Sequence, residues 1–419
     1  MIPGKRHAGV SRSTITPPIG TQLTGFAGRE SGCTSVHDDL FATALVLAGG
    51  ETRLALLTCD LIAVHPTVVA DVRRLVDDNV GIPGDHLMLC CSHTHAGPPT
   101  FATPETAAHN RHYVERLPAL LAATVAAAAA NLQPARLGHG SGHTAIGANR
   151  RQLRDGRIVI GEDSAGLCDH ELGLLRLERP DGSPLALVVN ATSHPVILGP
   201  ANLAVSADFV GVARAQVEAA TSAPMLFIQG ACADINPRDA ATRGLDSMIR
   251  AGDALAADIL SHLYGFACTT EVALLSAARM DVDLPLRQPI AGEPPPALAL
   301  SDDPEKVFPW EIPMTDNTIQ MEVQAFSLGD LGIVALACEP FVATGMACKQ
   351  ASPFARTFVA GYANGNVGYI PTADEYPRGG YEVTPSHLYY RLPQPVAPEA
   401  EALVVQTARS ALNAVAGHS

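Results

Sequence analysis

The chain has 419 residues, 47% hydrophobic and 17% charged, with 28 basic residues against 42 acidic ones and a formal net charge of −14. That apolar fraction excludes a disordered chain and is enough for a sizeable core, in one large domain or two. The acidic balance and the lack of any Lys/Arg-rich run argue against nucleic acid or an anionic membrane surface as partner.

The first 18 residues carry no apolar stretch of the kind that leads a secreted chain, so the expected compartment is the cytoplasm. Residues 14–31 are rich in Gly, Pro and Thr and read as irregular. Residues 36–50 and 51–64 read as two strands joined at Gly49-Gly50, and 65–81 as a helix stopped by Gly81. LMLCC (87–91) is a buried strand that points Cys90 and Cys91 to opposite faces. The Ala-rich stretch 117–132 is shorter than a membrane span and reads as a packed helix, with no strong membrane signal. A Gly-rich segment, 136–151, reads as strand or loop, and its 138–148 part is expected to shape a pocket.

Residues 171–195 form a hairpin around Pro180-Asp181-Gly182-Ser183. A helix is expected over 208–222, a buried strand running into a loop over 225–237, a helix over 247–265 and a strand over 272–284. Residues 288–310, rich in Pro and acids, read as a mobile flap. A second hairpin turns at Leu328-Gly329-Asp330 and runs into a helix over 341–352. A strand and Gly/Asn-rich turn (357–372) and a closing helix (397–417) complete the chain. No internal repeat is visible. Alternating strands and helices of this kind predict an α/β fold with mixed β-sheets flanked by helices. The nine cysteines include no C-x-x-C pair, which excludes a thiolate zinc site and favours free buried thiols.

Several apolar strands end on a polar side chain. LALLTCD ends at Asp60, LMLCCSHTH at His93 and His95, LALVVNATSH at His194, MLFIQGACADIN at Asp234 and Asn236, and LGIVALACE at Glu339. VAGYANGNVGY ends near Tyr369. In open α/β sheets ligands bind beyond the carboxyl ends of strands, so these groups can converge. Imidazoles and a carboxylate are good Zn2+ donors. The H-x-H pair places both rings on one face if the strand continues, and spacing alone lets either His93 or His95 ligate. Asp60 is a candidate to orient a ligand imidazole, and His37 is a further candidate for such a supporting role. Among the other histidines, His7, His65, His109, His112, His139, His143 and His418 lack an apolar strand before them and read as background.

Taken in order, these motifs resemble the neutral ceramidase family, zinc-dependent amidases that release a fatty acid from N-acyl-sphingosine. The resemblance is carried by ITPPIG (15–20), SHTHAGP (92–98), ANRR (148–151), NATSHP (190–195), FIQGACADINP (227–237), ACEPF (337–341) and GYIPTADEYPRGGY (368–381). It implies the fold of that family's catalytic domain over 1–419, as a bacterial-type homologue without the family's C-terminal immunoglobulin-like domain. It also implies one Zn2+ held by His93, His194, Glu339 and Tyr369, with His95, Arg150 and Tyr381 lining the site and handling the amide. The sequence departs from the family at Asn236, where ceramidases carry a serine proposed as nucleophile. An amide side chain cannot attack, so a metal-activated water is the expected nucleophile and Asn236 an oxyanion donor. The expected substrate is a small N-acyl amine or related amide other than membrane ceramide. Two other readings are hydrolysis of an ester, lactone or cyclic amide, and a non-catalytic binding protein with a structural metal. Oligomeric state is not readable from the sequence.

Overall fold

The structure is a computed structural model, and it describes residues 6–26, 29, 31–101, 108–269, 274–289 and 312–417. Nearly all of the expected flap, 288–310, lies outside the described residues.

The first third of the chain builds a sheet from β1 (His7–Thr14), β2 (Phe41–Gly49), β3 (Thr52–Cys59) and β4 (Leu87–Cys91). Strands β1, β2 and β3 pair antiparallel in sequence, and β4 pairs parallel to β3 after helix α1 (Pro66–Val80). Helix α2 (Ala108–Ala130) follows. The middle third has β5 (Arg136–His143), β6 (Gly147–Arg154), β7 (Arg157–Asp163), β8 (Glu171–Glu178), β9 (Pro184–Ala191), α3 (Phe209–Thr221), β10 (Met225–Gln229), β11 (Ile235–Pro237) and α4 (Leu245–His262). The last third has β12 (Leu275–Pro285), β13 (Thr318–Leu328), β14 (Leu331–Leu336), β15 (Glu339–Pro340), α5 (Val342–Gln350), β16 (Arg356–Ala360), β17 (Tyr369–Ile370) and α6 (Ala400–Ala416).

These thirds repeat one another. In each, a first strand pairs antiparallel to a second, the second antiparallel to a third, and the third parallel to a fourth reached through a helix. The sets are β1-β2-β3-β4, β5-β8-β9-β10 and β12-β13-β14-β16. Each ends in a second helix, α2, α4 or α6. Each also carries an insert between its first two strands, and in the middle unit this insert holds the β6–β7 hairpin. The repeat is invisible in the sequence because it is one of topology and burial, which many residue combinations satisfy.

Strand alternation explains how the units assemble. Ala44 and Val46 of β2 face α1 and α2, whereas Leu45 and Leu47 face the opposite way. The inner faces of all three sheets meet in one core, with Leu56, Val188 and Ile333 each buried there. The outer faces of the second and third sheets are covered by α3 with α4 and by α6. Cys90 and Cys91 fall on opposite sides of the first sheet, as the alternation predicts, and all nine cysteines are free. Helix α2 is long and apolar enough to cross a membrane by length and composition, yet Leu117, Leu121 and Val125 are buried on the first sheet.

Some expectations are corrected. Helix α2 is already formed by Asn110, well before the Ala-rich stretch, and carries Pro118 within it. Glycines 138, 140 and 142 lie on β5 against residues 262–268, so they back onto α4 and do not shape the site. Gly147 and Ala148, the end of the expected 138–148 stretch, open β6, which does reach it.

The three fourth strands meet at the centre, and their carboxyl ends are tied into a ring. The Cys91 N–H donates to the Tyr362 carbonyl at 3.2 Å, the Gly361 N–H to the Gln229 carbonyl at 3.0 Å, and Gln229 Nε2 to the Ser92 carbonyl at 3.0 Å. The polar strand ends seen in the sequence converge beside this ring.

Candidate metal centre and active site

His93 lies just past β4 with φ 67°, a left-handed conformation unusual for a side chain of its size. The H-x-H pair is therefore not on a pleated strand as the spacing suggested. A turn brings the two rings together. The turn is held by the His93 N–H donating to the Leu61 carbonyl, the His95 N–H to the Pro195 carbonyl and Thr94 Oγ1 to the Ser206 carbonyl at 2.7 Å. Loop 20–26 covers His95: a Cβ on Gly25, whose φ is 95°, would stand 2.5 Å from the His95 ring, so only glycine fits. Arg29 Nη1 anchors the same loop by donating to the carbonyls of Thr24 and His95.

The ring nitrogens have assignable roles. His93 Nδ1 sits 2.6 Å from the Ile62 carbonyl, and His194 Nδ1 sits 2.5 Å from that of Cys232. A carbonyl only accepts, so each Nδ1 carries the proton and each Nε2 presents a lone pair. Those Nε2 atoms stand 3.5 Å (His93) and 3.6 Å (His194) from Glu339 Oε2. His95 Nε2 lies 3.3 Å from His93 Nε2, and the nitrogens of His93, His95 and His194 form a group within 4.8 Å. Burial pushes the His93 pKa down to about 3, against the pull of Glu339. Burial also lowers His95 and His194. Glu339 remains ionised. Burial raises its pKa, and the Tyr390 hydroxyl, which donates to Oε1, is among the groups that lower it.

His194 Nε2 and Glu339 Oε2 are buried and reach no hydrogen-bond donor among the described residues. A carboxylate oxygen and two imidazole lone pairs facing one another in a dry site repel. A divalent cation relieves that repulsion, and a set of two or three nitrogens with one oxygen suits Zn2+. The residues therefore fit a metal.

Sequence-predicted neighbours of the centre are brought together as follows. Tyr369 pairs with Glu339 across the short parallel β15–β17 bridge, and its hydroxyl accepts from Arg150 Nη2 at 3.1 Å. Arg150, on β6, also reaches Asn236 Oδ1 at 3.4 Å and donates Nε to Glu382 at 2.8 Å. The Tyr381 ring centroid is 5.6 Å from that of Tyr369, and burial raises its phenol pKa, so the hydroxyl stays protonated.

Asp60 is a correction. Its carboxylate accepts from the Phe41 N–H and from Arg214, not from an imidazole. Main-chain carbonyls of Ile62 and Cys232 hold the rings instead. His37 pairs with Asp38 at 2.9 Å. Asp234 caps α5 through the Val342 N–H.

Other contributors were not singled out in the sequence. Tyr362 stacks on His93 at 3.9 Å, and Tyr390 donates to Glu339 Oε1. Glu382 bridges Arg150 and Arg151. Tyr390 and Glu382 follow no apolar strand and carry no local signal, and Tyr362, which does follow β16, is selected only by its packing.

No family model and no curated protein matches the chain. Solved structures share its fold, two ceramidases among them. A ceramidase complexed with C2 superposes with TM-score 0.79 at 18% identity, covering 99% of this chain and 76% of that one. The neutral ceramidase from Pseudomonas aeruginosa superposes with TM-score 0.76 at 19% identity, covering 99% of this chain and 75% of that one. The chain has a neutral ceramidase-like fold, which agrees with the mixed α/β architecture expected from its sequence.

Proposed function

We propose that the chain is a Zn2+-dependent hydrolase of the amide bond of a small N-acyl compound. The observation that carries this reading is the convergence of His93 Nε2, His194 Nε2 and Glu339 Oε2 as buried lone-pair donors, the last two of which meet no proton donor among the described residues. The shared fold with ceramidases supports the reaction class.

His93, His194, Glu339 and Tyr369 would hold the ion. When bound it supplies Lewis acidity, which polarises a carbonyl and brings a water's pKa toward neutrality. The chain's own residues do the rest. His95, neutral at neutral pH, takes a proton from the attacking water and returns it to the leaving amine. Arg150 stays charged beside Glu382 and, with the protonated Tyr381 hydroxyl and the Asn236 amide, offers donors to the developing oxyanion. Loop 20–26 packs Phe26 edge-on to His95 at 5.1 Å, which helps exclude water from that ring. Since Asn236 cannot form an acyl-enzyme, the reaction is a single hydrolytic displacement.

Metal analysis of the purified chain, followed by hydrolysis of N-acyl amines and N-acyl amino acids of graded chain length, tests the reading. Stoichiometric Zn2+ and cleavage of at least one amide class are expected. Absence of bound metal, or full activity in His194→Ala, would overturn it.

A further inference from the structure

Glu339 has two inequivalent oxygens. Oε2 faces the two imidazoles, while Oε1 accepts from the Tyr390 hydroxyl. The Tyr390 oxygen in turn accepts from Asn366 Nδ2 at 3.2 Å, and Asn366 Oδ1 accepts from the Gly368 N–H at 2.9 Å. The Gly368 carbonyl accepts from the Glu339 N–H at 2.8 Å. The hydrogen bonds thus form a closed circuit that leaves Glu339 by its main chain and returns to its side chain.

The circuit has a direction. A main-chain N–H can only donate, so it fixes which end of the Asn366 amide carries oxygen. The amide NH2 then points at Tyr390, whose oxygen is occupied as an acceptor and whose proton goes to Glu339. Tyr390 is buried, and with its oxygen taken by the Asn366 amide its hydroxyl proton is directed at Glu339 Oε1. The geometry leaves no slack. Gly368 has φ 99°, and a Cβ there would stand 3.0 Å from the Tyr390 ring. Tyr390 itself ends a short helical segment, Pro385–Tyr390. Upstream of it Arg151 bonds Glu375, Glu382 and the Gly379 carbonyl.

We infer that Tyr390, aimed by Asn366, is a positioning residue that holds Glu339 as a one-oxygen metal ligand. The inference rests on the proposed metal centre and adds to it a residue that bonds the Glu339 oxygen turned away from the imidazoles. With Oε1 occupied, the carboxylate presents Oε2 alone, in a rotamer set before any ion arrives. Without the phenol proton, Oε1 is freed, the carboxylate can swing or chelate with both oxygens, and the ion is held less selectively. Outer partners of this kind change metal affinity by about 10–100-fold in other sites.

The experiment compares the full chain with Tyr390→Phe, which keeps the ring's packing, and with Asn366→Ala and the double variant. Zn2+ stoichiometry is measured first, then Zn2+ affinity by competition with a chelator, and finally the visible spectrum of the Co2+-loaded proteins. Expected results are one Zn2+ per chain in every case, affinity about 10–100-fold weaker in Tyr390→Phe, and an altered Co2+ spectrum. Asn366→Ala should show a smaller loss that vanishes when added to Tyr390→Phe. Unchanged affinity and an unchanged Co2+ spectrum in Tyr390→Phe would overturn this inference and leave the metal centre standing. A wild-type chain that binds no metal would overturn both. If Tyr390→Phe loses metal only because it unfolds, its circular dichroism will show it, and the Asn366→Ala affinity then decides.

Discussion

His93 and His95 present their Nε2 atoms to each other at 3.3 Å, although their side chains leave a turn and not a strand. His93 Nδ1 is spent on the Ile62 carbonyl, whereas His95 Nδ1 is buried without a partner among the described residues. The two rings are therefore not equivalent. The proposed function accordingly assigns His93 to the metal and His95 to proton transfer.

This separation predicts different losses. His93→Ala, His194→Ala and Glu339→Gln should lower Zn2+ content well below one per chain. His95→Ala should keep its metal and lose activity by about 10²–10⁴-fold, the range for removing a general acid–base group. Metal content and amide hydrolysis on the same preparations check this. Loss of metal from His95→Ala would make it a ligand instead.

Asn236 replaces the serine expected from the resemblance and touches Arg150. Asn236→Ala should slow hydrolysis by about 10²-fold, as for loss of one oxyanion donor, without abolishing it. No covalent acyl adduct should appear by mass spectrometry in either protein during turnover. An adduct in the wild-type chain would show that another side chain attacks.

Glu382 is buried between Arg150 and Arg151, and its charge is held by both guanidinium groups. Glu382→Ala strands Arg150 without its carboxylate. The expected cost is about 3–5 kcal/mol in urea unfolding, typical of a broken buried pair. A loss under about 1 kcal/mol would mean that the pair behaves like an exposed one.

Asp208 caps α3, and burial, aided by nearby Asp38, raises its carboxyl pKa from 3.8 to about 6. The folded state then holds a proton that the unfolded chain releases near 3.8. Its contribution to stability is full below that value and declines as pH rises toward 6, by on the order of 3 kcal/mol in total. Asp208→Asn should flatten this part of the stability curve. Urea midpoints at several pH values between 4 and 7 for both proteins check it, and an unchanged slope would contradict it.

Much of the local structure was legible. The two hairpins, the helix stopped at Gly81, the strand ending before His93 and the closing helix follow from periodicity and turn residues. Strand β1 went unassigned because its eight residues mix small and polar side chains without a clear apolar alternation. The β6–β7 hairpin was missed because Asp155-Gly156 is flanked by polar residues, which hide the alternation. At the site, the histidines and Glu339 were visible because each follows an apolar strand. Tyr390 and Glu382 were not, because no apolar strand precedes them, and Tyr362, although it follows β16, reads as one more packing residue.

By itself the sequence determined which groups can donate to a metal and that they lie beyond strand ends, since strand propensity and side-chain chemistry are local properties. Only the tertiary structure decided that these ends meet. Three topologically equal units place Ile62, His194 and Glu339 at the same position, three residues past the end of the third strand in each. One unit uses that position to supply a carbonyl for His93, and the other two supply His194 Nε2 and Glu339 Oε2, which face each other. It also decided that Asp60 serves Arg214, and that Tyr390, 51 residues from Glu339, aims its carboxylate. Such relations depend on through-space contacts between distant segments, and no pattern of neighbouring residues encodes them.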